Sequence, residues 1–164
     1  MVRGERRVLI APVSGWVTLE VVSVNATTFS RQVPACMEEL HRLCQEFRAH
    51  LEGLGVGDEV TYALQLTLEE LASNSVKYGC KERPDGWVRV TLQTDELEFA
   101  LMIEDNGAPF DPLEAPPPKL TLPDCDRRPG GLGLHLVRHF ADRFYYERVA
   151  DTNRVVFVKG CPTD

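Results

Sequence analysis

Within its 164 residues the chain has no apolar run approaching the roughly 20 residues of a transmembrane helix, so no helical membrane span is expected. Its five cysteines (Cys36, Cys44, Cys80, Cys125 and Cys161) are odd in number and lack a C-x-x-C spacing, which speaks against a zinc site and a disulfide framework. Reduced thiols in a cytoplasmic protein are the expectation. Positive charge is also scarce, with 18 Lys and Arg against 25 Asp and Glu, a formal net charge of −7. A nucleic-acid backbone requires a basic surface and is not expected as the main partner. An acidic protein can still hold a nucleotide where backbone amides and a metal ion make the local potential positive. The Gly-Lys-Ser/Thr of a phosphate-binding P-loop is missing too.

The rest of the composition, 43% hydrophobic and 26% charged, is that of a soluble globular protein. The length suits one domain, taken as residues 1–164 with a core over about residues 16–160. The opening places Arg3, Arg6 and Arg7 before VLIAPV, imitating a secretory leader, but its apolar part is too brief. Trp16 to Val24 reads better as a strand, because Val17 to Val24 alternates and is rich in β-branched residues.

Apolar residues at helical spacing predict a first helix over Ala35 to Leu51, broken at Gly53 to Gly57. A second helix is expected from an N-cap at Asp58 to about Tyr78, closed by Gly79. Gly86 to Gln93 and Leu97 to Glu104 read as a hairpin. Between Ala108 and Pro129 lie seven of the eleven prolines, which exclude a helix or an interior strand. A last helix over Leu132 to Asp142 precedes strands at Phe144 to Val149 and Arg154 to Lys159, with a turn at Asp151 to Asn153. The pattern is an α+β, two-layer sandwich, a mostly antiparallel mixed sheet with three helices on one face. An uncovered sheet face or first strand would favour a homodimer.

Three stretches carry candidate chemistry. At about 100° per residue, Val60, Leu64, Leu68, Leu71 and Tyr78 share the expected buried stripe of the second helix. Glu70 and Asn74, one turn apart, follow one flank with Ala63, Thr67 and Lys77, while Glu69 points to water. An amide at a cleft edge can offer a carbonyl oxygen to Mg²⁺. A carboxylate one turn away can take a proton from a hydroxyl. Lys77 could meet a phosphate as a point charge. Taken alone, E-x-x-x-N is an ordinary helix surface.

The second stretch, Ile103 to Pro112, is by itself an Asn-Gly turn after a strand, with Glu104 and Asp111 expected to be exposed. Alternatively, Asp105 accepts a hydrogen bond from the exocyclic amine of adenine, and Gly107 lets backbone and base approach. The third stretch, Pro129 to Val137, puts Gly130, Gly131 and Gly133 where a helix begins, with free backbone N–H groups suited to phosphate oxygens. A dinucleotide fingerprint does not fit, since position 136 is Leu where a third glycine is needed.

In this order the stretches LEELASNSVKYG, IEDNGAPFDP and GGLGLHLVRHFAD resemble the three boxes of the histidine-kinase-like ATPase superfamily (the Bergerat or GHKL fold). Within it the chain resembles most the anti-sigma-factor serine kinases. The resemblance implies Glu70 as catalytic base, Asn74 as Mg²⁺ ligand and Asp105 as adenine contact. It further implies a nucleotide site that includes Gly107, Gly131, Leu132 and Gly133, with Lys77 and Tyr78 beside it and residues 108–130 as an ATP lid. ATP or ADP and Mg²⁺ would be the cofactors. The partners would be an anti-sigma antagonist as phosphate acceptor and a sigma factor, in the cytoplasm. Tyr78-Gly79 departs from the His-Gly frequent in those serine kinases. Two other readings remain open: a nucleotide-gated binding switch without turnover, and a detached catalytic domain of a histidine kinase. Against the latter, none of His41, His50, His135 and His139 has the setting of a phospho-accepting histidine.

Overall fold

A computed structural model describes residues 26–95, 97–115 and 131–161. The expected strand at Val17 to Val24, Cys125 and most of the proline-rich stretch lie outside the described residues. Strand β1 (Ala26–Pro34) leads into helices α1 (Met37–Leu54) and α2 (Asp58–Asn74). The hairpin β2 (Trp87–Thr94) and β3 (Glu98–Asp105) follows, then α3 (Gly131–Phe140) and the hairpin β4 (Arg143–Val149) and β5 (Thr152–Gly160). The sheet order is β1-β2-β3-β5-β4. Every pairing among the described residues is antiparallel.

Strand β1 was not expected, since ATTFSRQVP offers Phe29 and Val33 as its only large apolar residues. It is an edge strand that buries Phe29 and leaves Ser30, Arg31 and Gln32 exposed, so its sequence carries little alternation. Helix α1 begins after Cys36 without a side-chain cap, and its first-turn Glu38 and Glu39 oppose the helix dipole and pair with Arg42. It ends at Gly55, whose left-handed φ of 67° favours a residue without Cβ. Asp58 is the first helical residue of α2 rather than its cap, a place held by Gly57. There Asp58 and Glu59 act as first-turn negative charges.

The core lies between the sheet and the helices. Leu43, Phe47 and Leu51 of α1 and Leu64 and Leu68 of α2 meet Val88, Val90, Leu92, Leu101 and Phe157. Val60, Leu64, Leu68 and Leu71 are buried as expected, and Ala63 and Thr67 on the flank are equally buried. Tyr78 is instead 64% exposed. After Asn74 the helix widens into a π-helical turn, Ser75–Gly79, with Cys80 N–H donating to the Ser75 carbonyl at 2.7 Å. A turn closed by i→i+5 bonds advances less per residue than an α-turn, so Tyr78 leaves the stripe that a uniform helix would assign it.

The other sheet face carries a small apolar cluster, Ala100, Met102, Tyr145, Val156 and Val158, and a charged network, and here too a residue expected in water is buried. Glu104 is 4% exposed. Register places it opposite Arg89 on one side and Arg154 on the other, and both guanidiniums pair with it. Arg154 also meets Glu147 at 2.7 Å. Asp111 is half-buried.

Cys36, Cys44, Cys80 and Cys161 are free thiols. Burial first, and the Glu69 charge second, push Cys44 up to about 11. A raised thiol pKa keeps the unreactive protonated form, so roughly one Cys44 in a thousand is thiolate at pH 8. Iodoacetamide at pH 8 will therefore label exposed Cys36 and spare Cys44 until denaturant is added, as peptide mass mapping will read.

Candidate functional site

A cavity of about 470 Å³ opens between α2, the loop after β3 and the flank of α3, a size suited to a small-molecule ligand. Its apolar lining comes from Leu71, Ile103, Leu134 and Val155, one residue from each of α2, β3, α3 and β5, and from the loop after β3. Polar groups enter from Asn74, Ser75, Asp105, Asn153, His135 and Arg138.

Asp105 is the most constrained of these groups. It ends β3, is 7% exposed and accepts three hydrogen bonds. Ser75 Oγ donates to Oδ2 at 2.6 Å, while Gly107 N–H and Asn153 Nδ2 each donate to Oδ1 at 2.8 Å. A buried carboxylate without such donors would be strongly destabilising. Ser75 reaches it because the π-turn begins there, its hydroxyl also lying 3.1 Å from the Leu71 carbonyl. Asn153 reaches it because the β3–β5 register pairs Asp105 with Asn153.

Asn153 was expected in a turn, yet the hairpin turns one step earlier, at Ala150 and Asp151, with Ala150 at a φ of 52°. The side chain is 4% exposed and fully engaged. Besides Asp105 it donates to the Ala108 carbonyl at 2.9 Å, and its Oδ1 accepts from Arg148 at 2.7 Å and Tyr146 at 3.0 Å. Sequence reasoning missed Asn153, Ser75, His135 and Arg138. The one available signal was the position of Asn153 in the strand facing β3, visible only if the turn had been placed at Ala150.

The remaining expected residues divide. Asn74 and Tyr78 line the cavity, and Gly107 lies directly behind Asp105. A Cβ at Gly107 would stand 2.6 Å from the Gly79 carbonyl carbon and 2.8 Å from Asp105 Oδ1, a space only glycine can fill. Glu70 lies half-buried against the first turn of α3, so close to Gly133 that a Cβ there would overlap its carboxylate. Gly131 is the first residue of α3, and Leu132 beside it is 50% exposed. Lys77 is exposed and outside the cavity lining. Among the described residues, no group of three or more His, Cys, Asp or Glu side chains could hold a metal ion unaided. Asn74 supplies one neutral oxygen donor, which fits a magnesium ion whose other ligands are phosphate and water oxygens.

Three helices on one face of an antiparallel sheet, with a cavity between α2 and the loop after β3, are the layout of an α+β ATPase-type domain. The chain belongs to the histidine kinase-like ATPase domain family, whose model matches residues 33–159. The serine/threonine-protein kinase BtrW of Bordetella bronchiseptica is 34% identical over 102 residues, covering 60% of this chain and 72% of BtrW. A solved structure of the RsbU and RsbW domains of Rv1364c from Mycobacterium tuberculosis is similar with a TM-score of 0.54 at 13% identity. That match covers 82% of this chain and 34% of the other, so the chain spans about a third of it, and the likeness is one of fold alone. No helix among the described residues is long and apolar enough to cross a membrane.

Gly107→Ala should lower stability by about 1–3 kcal/mol, because the methyl group meets backbone that cannot rotate away. Gly53→Ala in α1, with nothing within 4 Å of the added Cβ, should be neutral or gain roughly 0.5–1 kcal/mol. Urea denaturation of the two variants will compare them.

Proposed function

We propose that this chain is an ATP-dependent protein serine kinase of the anti-sigma type. In this reading it phosphorylates a serine on an anti-sigma antagonist and binds a sigma factor. The observation that carries the nucleotide site is Asp105, held by three donors at the wall of a largely apolar cavity of about 470 Å³. Its fixed carboxylate suits the exocyclic amine of adenine and disfavours guanine, which has a carbonyl there. The likeness to a protein named as a serine/threonine kinase supports transfer to a hydroxyl rather than to a histidine.

Adenine would enter between Leu71, Ile103 and Val155, with Tyr78 at the mouth, and the phosphates would extend along α2 toward α3. The N–H groups of Gly131, Leu132 and Gly133, which in the first turn of α3 have no partner within the helix, suit phosphate oxygens. Asn74 would hold Mg²⁺ together with the phosphates, the ion neutralising charge there. Glu70 would accept the proton of the attacking serine hydroxyl. The serine oxygen then bonds to the γ-phosphorus as the bond to the β–γ bridging oxygen breaks, and ADP leaves. Such catalysis is mainly positioning and charge neutralisation. Glu70 lies against Gly133 in the first turn of α3, beside the proposed phosphate site. Exposed Lys77 would meet a phosphate only by swinging inward. Phosphorylation of the antagonist would weaken its docking and free the kinase for the sigma factor.

Glu70→Gln should lower phosphotransfer about 10²- to 10⁴-fold while leaving ATP affinity unchanged. Radiolabelled ATP with Mg²⁺ and antagonists encoded beside this gene will read it, by phosphoserine on the partner. Wild-type protein that binds ATP and labels no partner would favour a nucleotide-gated switch without turnover. Asp105→Ala should weaken ATP binding about tenfold or more, through loss of a charge-assisted hydrogen bond. Isothermal titration will measure it, and unchanged affinity in both Asp105→Ala and Asn74→Ala would sink the proposed site.

A further inference from the structure

Arg138, in the second half of α3, reaches across the cavity to the loop after β3. One terminal nitrogen donates to the Ala115 carbonyl at 3.0 Å and the other to the Pro112 carbonyl. Among the described residues its other ties here are the Phe110 backbone to Tyr146, Glu114 N–H to the Asp111 carbonyl at 3.3 Å, and Ala115 packed against the core. Asp111 caps its own turn, accepting from Leu113 N–H at 2.7 Å, and Phe110 and Leu113 are 49% and 45% exposed. The near end is held by Gly79, Asn153 and Arg148, which bond the backbone of Gly107 and Ala108. Among the described residues Arg138 therefore supplies the bidentate side-chain anchor at the far end of a wall whose near anchor is the Asp105 network. Pro109, Phe110, Pro112 and Ala115 of that wall all line the cavity, as does Arg138 itself.

The arginine bears a cost for this position. Its Nε is buried with no hydrogen-bond partner among the described residues. A buried, unsatisfied donor is destabilising, and an arginine serving only as surface charge would turn it to water. Both terminal nitrogens are instead committed to carbonyls, and the fork spans two acceptors that a lysine could not hold at once.

We propose that Arg138 is a positioning residue for the nucleotide. It pins the loop Ala108–Ala115 to α3 and so sets the width of the cleft between Asp105 and the first turn of α3. It acts through the loop wall and takes no part in proton or phosphoryl transfer. This rests on the nucleotide reading above, and in that setting loss of the pin loosens binding more than chemistry.

The test uses the full chain with Arg138→Gln and Arg138→Lys. Arg138→Gln should raise the Kd for ATP about tenfold, the loss expected for one charge-assisted contact, with kcat toward the antagonist unchanged. Arg138→Lys, keeping the charge and one carbonyl contact, should fall between it and wild type. Without nucleotide, Glu-C cleavage after Glu114, mapped by mass, should quicken in the order wild type, Lys, Gln, with thermal midpoints measured alongside. If Arg138→Gln does not fold, Arg138→Lys alone decides by the same two readouts. Wild-type ATP affinity together with wild-type cleavage at Glu114 would overturn the proposal, as would a fall in kcat with unchanged Kd. Wild-type protein that fails to bind ATP would overturn the nucleotide reading, whereas the cleavage order would still decide whether Arg138 holds the loop.

Discussion

A carboxylate removed from water must find its hydrogen bonds inside the protein, and Asp105 finds them on three separate segments. The π-turn after α2 gives a hydroxyl, the loop after β3 gives a backbone N–H, and β5 gives an amide. Each donor lies there because of a wider feature of the fold. The hydroxyl depends on where α2 widens, the amide on the register of a hairpin more than 40 residues away in sequence, and the N–H on a glycine with no room for a methyl group. The carboxylate thus fastens the helical layer to the sheet at the point where the cavity opens.

The wide turn at Ser75–Gly79 links fold and site. It turns Ser75 inward to Asp105 and sends Lys77 and Tyr78 outward, separating residues that a uniform helix would keep on related faces. A π-turn has poorer geometry than an α-turn and is retained where something else compensates. Here the bonds from Ser75 to Asp105 and from Cys80 to Ser75 compensate. The same end of the helix is closed by Gly79, whose carbonyl accepts from Ala108 N–H at 2.9 Å.

The two faces of the sheet have divided their work. The inner face, with Val88, Val90, Leu101 and Phe157, supplies burial for three helices. The outer face carries alternating charge at one end, across β2, β3, β5 and β4 and centred on the buried Glu104, and a second apolar cluster of Ala100, Met102, Tyr145, Val156 and Val158 at the other. A buried pair of this kind contributes alignment more readily than net stability. The polar end of the sheet and the cavity share β3, since Glu104 and Asp105 are consecutive and face opposite sides.

The sequence alone determined what local pattern can determine. Periodicity placed α1, α2, α3 and four of the five strands, because apolar residues at 3.6 or 2.0 spacing need no distant partner to be read. The buried run Val60, Leu64, Leu68 and Leu71 and the helix-stopping glycines were legible for the same reason. Resemblance of three stretches, in order, to the boxes of the histidine-kinase-like ATPases brought Glu70, Asn74, Asp105, Gly107 and Gly133 forward as one set. Tertiary structure alone decided the rest. β1 is an edge strand with polar sides, Glu104 is buried by arginines on neighbouring strands, and Asn153 and Arg138 act on backbone far from them in the chain. None of these has a spacing signature, since a hydrogen bond across a sheet or a cavity depends on register and approach, which a linear pattern does not encode.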